Sequence, residues 1–154
     1  MQKYRINIKT GQEVNDNGQL GVSFYSQDWR EATTVEVKDI ELGKLKKAKI
    51  LETKIKREEK ISNFVVDEGV IETNNRAETV LILEGYKKIL DQNITLAEYG
   101  LKDEKLIKLT KTIIDKWLLA ISKQYNQAWL DYRAVEKKIN NAKTLTTLNK
   151  IIIK

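Results

Sequence analysis

Along residues 3–9, Lys-Tyr-Arg-Ile-Asn-Ile-Lys, the apolar positions Tyr4, Ile6 and Ile8 alternate with polar ones, the two-residue period of a half-buried strand. The run Gly11 to Gly18, GQEVNDNG, is dense in turn formers, and Leu20–Tyr25 and Thr33–Val37 then read as two further strands. Residues 1–38 are therefore expected to form a small antiparallel sheet of about three strands, too small to stand alone. From Asp39 to Ile61 the pattern becomes helical. Asp39 is the expected N-cap, and Ala48, Leu51 and Ile55 lie three or four residues apart on one face. Asn63 to Thr73 holds two β-prone runs around Asp67-Glu68-Gly69, a hairpin pattern. A helix of roughly 16 residues follows, capped by Asn74 or Asn75 and ending near Gln92. The segments Thr95–Tyr99 and Lys105–Leu109 flank a second turn.

The last third carries the strongest periodicity. Ile114, Leu118, Ile121, Tyr125, Ala128, Tyr132, Val135, Ile139 and Ala142 succeed one another at alternating steps of four and three, which keeps one helical stripe facing a partner helix. That stripe serves either as a seam to another chain or as packing for helix 39–61. Trp117 and Trp129 widen its apolar face. Thr144 to Ile151 reads as a short terminal helix. The fold class expected is α+β: residues 1–38 as a β-rich attachment region, and 39–154 as helices with two hairpins and a long C-terminal helix.

Composition narrows the chemistry. The 154 residues include no Cys, no His and no Pro. Disulfides, thiolate or imidazole metal sites and His-dependent nucleophiles are thereby excluded, and no Walker loop or dinucleotide glycine motif is present. A two-carboxylate glycosidase is chemically open, but with 22 acidic residues such pairs arise by chance. A non-catalytic chain without cofactor is the expectation. The N-terminal residues lack a signal-peptide pattern and no apolar run reaches membrane length, so manufacture in a cytosol and no membrane partner are expected. The net charge of +6 resides in the helical segments: residues 39–61 carry eight basic against five acidic side chains, and 110–154 carry nine against three. Such helices bind an acidic partner or nucleic acid through their field, or are simply solvated lysine faces; no nucleic-acid motif accompanies them.

The order of the segments adds a resemblance. Phe64-Val-Val-Asp-Glu-Gly-Val-Ile-Glu-Thr-Asn-Asn-Arg-Ala-Glu-Thr, then Leu83-Glu-Gly-Tyr, Ile107-Lys-Leu-Thr, and Tyr132-Arg-Ala-Val-Glu-Lys-Lys-Ile-Asn-Asn-Ala with its Leu-Thr-Thr-Leu-Asn-Lys-Ile tail resemble a domain of unknown function in tailed-phage and prophage tail-fibre-associated proteins. The match covers about residues 45–151 and rests mainly on Arg76, Gly85, Ile139 and Ala142, with Tyr99 where that family has Trp. The resemblance implies a tail structural subunit or assembly chaperone, made in a bacterial host cytoplasm and docking tail, fibre or baseplate proteins, as a dimer or trimer. The competing expectation is a small phage-encoded nucleic-acid binder or host-directed inhibitor. Arg76 is expected to bond Asp67, Glu68 or a nearby carbonyl, because a cation at a helix start opposes the macrodipole. Gly85 in mid-helix is expected to mark close packing.

Overall fold

The computed structural model describes residues 3–16, 27–73, 75–96 and 98–153. Its elements are β1 (Lys3–Asn7), β2 (Glu13–Asp16), β3 (Trp29–Glu31), α1 (Thr34–Ser62), β4 (Asn63–Val66), β5 (Gly69–Glu72), α2 (Arg76–Asp91), β6 (Glu98–Gly100), β7 (Leu106–Lys108), α3 (Lys111–Asn141) and α4 (Leu145–Asn149). The α+β class, with a small N-terminal antiparallel sheet, two short hairpins and a long C-terminal helix, is the one the pattern predicts. The chain divides into two compact units, residues 1–49 with 139–152, and residues 50–138 with 153–154.

In the first unit the sheet has the order β2-β1-β3, with Tyr4 opposite Asn15, and Arg5 opposite both Val14 and Glu31. Tyr4, Val37 and Ile40 form its buried core, with Ile6 and Ala32 packed against it. Ile139, Ala142 and Leu148 are also buried in this unit. Ile8 falls beyond β1 and is exposed. Two assignments of the sequence pattern fail here. Glu13–Asp16, inside the expected turn, is strand β2, because its main chain completes the ladder with β1. Thr33–Val37 is not a strand but the start of α1. Thr33 and Glu36 make a capping box: the Glu36 amide donates to Thr33 Oγ1 at 3.3 Å, and the Thr33 amide donates to Glu36 Oε2 at 2.8 Å. This outweighs the β-branched run. Asp39 is therefore an interior helical residue rather than a cap. Leu20–Tyr25 lies outside the described residues.

The second unit is built around Phe64, Ile71, Leu83, Ile114, Trp117 and Ile121, each at most 1% exposed. Burial of such side chains stabilises by about 1.5–3 kcal/mol each. Hairpin β4–β5 pairs Val66 with Gly69 across the turn. Gly69 has φ of +153°, and a Cβ there would lie 2.8 Å from Leu101 Cδ1, so the turn requires glycine. Asn75 caps α2, its side chain accepting from the amides of Ala77 and Glu78; Asn74 lies outside the described residues. The helix ends at Asp91, with Asn93 left-handed at φ of 60°. The apolar face read for helix 39–61 is turned outward: Leu51 and Ile55 are 59% and 51% exposed and Ala48 is exposed, while Thr53 is buried. A Cβ on Gly85 would meet nothing within 4 Å, so close packing does not account for this glycine.

Candidate functional site

Helix α3 positions most of the residues singled out by the sequence. Of the nine seam residues, Ile114, Ile121, Ala128, Tyr132, Ile139 and Ala142 are buried, and Leu118, Tyr125 and Val135 are half-buried. Their stripe is packed inside the chain, with Ala142 just past the end of the helix. Tyr125, Trp129 and Tyr132 stand at i, i+4 and i+7, so their rings climb one side of α3. The Tyr125 and Trp129 centroids are 6.3 Å apart, and Trp129 meets Tyr132 edge-on at 5.8 Å.

Arginines cover these rings. The Arg57 guanidinium, from α1, lies 4.0 Å from the Trp129 centroid and 4.8 Å from that of Tyr132; Arg57 is also paired with Glu58. Arg76, the first residue of α2, lies 4.2 Å from the Tyr125 centroid. Among the described residues that contact, rather than a bond to Asp67, Glu68 or a carbonyl, answers the misplaced cation at the helix start. Its Nε and the Trp129 indole Nε1 are buried without a hydrogen-bond partner among the described residues, donors whose desolvation costs stability. The Tyr132 hydroxyl donates to Glu136 at 2.7 Å, and burial, aided by that carboxylate, raises its pKa.

Beside the ladder runs an open groove of about 560 Å³, lined by Tyr125, Asn126, Trp129, Leu130 and Arg133. Leu130 is 61% exposed. Arg133 is exposed and makes no ion pair among the described residues. No family model, curated protein or solved structure matches this chain.

Trp117 belongs to a different constellation. Its indole donates to Glu68 Oε2 at 2.6 Å, and Tyr99 meets it edge-on at 5.4 Å, with Tyr86 beyond at 6.4 Å. Burial raises the Tyr99 pKa, with a smaller contribution from Tyr86. Lys105 Nζ donates to the Glu68 carbonyl at 2.9 Å, so this cluster ties the β4–β5 turn to α3 and serves structure. Among the described residues no group of three or more acidic side chains is placed to hold a metal ion, and no helix is long and apolar enough to cross a membrane.

Sequence reasoning found Tyr125, Trp129 and Arg76 but missed Arg57, Leu130 and Arg133. The signal for the last two was present: Leu119, Asn126, Leu130, Arg133 and Lys137 are spaced by seven, four, three and four residues, a second helical stripe beside the seam.

Proposed function

We propose that this chain is a non-catalytic docking protein of a tailed phage, a structural subunit of the tail or a chaperone of fibre assembly, whose partners are tail, fibre or baseplate proteins. The observation that carries this reading is the groove on α3: an exposed leucine and an arginine that has no ion pair among the described residues and lies 5.9 Å from the Trp129 ring centroid, the kinds of side chain that anchor protein interfaces. The phage setting is drawn from the segment order between residues 45 and 151. Manufacture in a bacterial cytoplasm and incorporation into a tail follow from it as proposals. Among the described residues β2 and β3 flank β1 in the N-terminal sheet, and main-chain pairing of this sheet with another chain is the second mode of docking in this reading. The symmetry of a fibre favours two or three copies. Since the α3 seam is packed internally, copies would meet through other faces.

The competing reading, a nucleic-acid binder or host-directed inhibitor, draws on the exposed Arg133 and the lysine-rich helices. Mass spectrometry of purified particles and of proteins captured by the tagged chain separates the two. Stoichiometric presence in particles supports a subunit. Absence from particles with capture of a fibre protein supports a chaperone, and capture of host proteins or nucleic acid alone overturns the tail reading.

A further inference from the structure

The outward face of α3 is both apolar and positively charged. Leu119, Asn126, Leu130, Arg133 and Lys137 fall on one side of the helix, away from Ala128 and Ile121. Leu119 and Leu130 are 56% and 61% exposed. Neither Arg133 nor Lys137 has an ion-pair partner among the described residues. The acids nearest in sequence are engaged elsewhere: Asp131 with Lys60 and Gln127, Glu136 with the Tyr132 hydroxyl. Among the described residues no carboxylate lines the groove.

We infer that this face seats an acidic amphipathic helix from a partner protein, its aliphatic residues against Leu119 and Leu130 and its carboxylates against Arg133 and Lys137. The inference rests on the docking reading and names the surface and the partner's chemistry. From Leu119 to Lys137 the stripe extends about 27 Å at 1.5 Å per residue, room for a helix of about five turns. Charge complementarity selects this occupant. A second copy of this chain offering its outward α1 residues Leu51 and Ile55 is a poor one, because they lie on a segment with eight basic and five acidic residues. Nucleic acid is poor too. Bases bind through open aromatic faces, whereas Arg57 lies over Trp129 and Arg76 over Tyr125.

The test uses the full chain with 15N-labelled indoles, the Trp129 signal being assigned from Trp129→Phe. Three probes are titrated: an 18-residue amphipathic helix of Leu and Glu, the same peptide with Lys for every Glu, and oligothymidylate. The Leu–Glu peptide is expected to shift the Trp129 indole signal saturably, and more weakly as salt rises. Arg133→Glu and Leu130→Glu should each weaken that binding roughly tenfold while the Trp117 indole signal stays at its wild-type position, which reports an intact core. No shift, an equal shift with the Lys peptide, a shift with oligothymidylate alone, or a concentration-dependent shift without any probe, marking self-association, would each overturn the inference. Capture of tail proteins by the wild type and both variants keeps the two proposals separate. Undiminished capture by the variants refutes this surface and leaves the docking reading standing. No capture by the wild type refutes the docking reading, while the peptide titration still decides the surface.

Discussion

The side-chain amide of Gln124 binds the main chain of Val65 as a neighbouring strand would: the Val65 amide donates to Gln124 Oε1 at 2.9 Å, and Gln124 Nε2 donates to the Val65 carbonyl at 2.6 Å. Val65 sits opposite Val70 in the hairpin. On the other edge, Lys102 donates its amide to the Val70 carbonyl at 2.9 Å. One glutamine on α3 thus closes a strand edge that would otherwise offer two unpaired groups. Gln124→Ala is expected to destabilise the protein by about 1–3 kcal/mol and to speed amide exchange at Val65 selectively. Urea unfolding and hydrogen exchange measure the two, and unchanged protection at Val65 would refute the pairing role.

The two glycines that the sequence leaves ambiguous should respond in opposite directions. Gly85→Ala adds a methyl group in open space on α2 and should stabilise by about 0.5–1 kcal/mol. Gly69→Ala must accept φ of +153° and crowd Leu101, and should cost about 1–3 kcal/mol. Thermal melts of both variants decide the matter; a destabilised Gly85→Ala would point to a contact made only in a larger assembly.

Acid should weaken the start of α1. The Glu36 carboxylate is held at about 2, below its ordinary 4.5, first by the Arg30 side chain and then by the Thr33 amide and hydroxyl. Because the folded value is depressed, its contribution is fully present above about 4.5 and fades as pH falls towards about 2. The melting-temperature gap between wild type and Glu36→Gln should be constant above that window and close within it. A gap that does not vary with pH would exclude this ion pair as the cause.

Arg57→Ala removes the cation lying over Trp129 and Tyr132 and should cost about 1–2 kcal/mol, with a change in near-ultraviolet circular dichroism. Arg57→Lys should recover only part of this, since an ammonium group lacks the planar stack. Full recovery would reduce the contact to charge alone.

Elements with local grammar were readable in the sequence. Gly69 in its turn, Asn75 at the start of α2 and the four–three stripe of α3 each encode their geometry through a backbone or spacing requirement. Where local preferences competed, reading failed. Thr33-Thr34-Val35 favours a strand by side-chain branching, but Glu36 and Arg30, one residue inside the helix and one in β3, together fix a helix start. Glu13–Asp16 looks like a turn because its pairing with β1 is invisible to local composition. At the candidate site the aromatic rings were legible from their spacing. Arg57 was not, for its place over Trp129 depends on how α1 crosses α3 in the second unit, which no local pattern records.

The distribution of tryptophan supplies an optical consequence. Trp29 belongs to the first unit, and Trp117 and Trp129 to the second. With Tyr86 and Tyr99 in edge contact leading to Trp117, tyrosine excitation in the second unit drains into an indole shielded from water. Variants retaining a single tryptophan would therefore let the melting of each unit be followed by fluorescence, without attaching any dye.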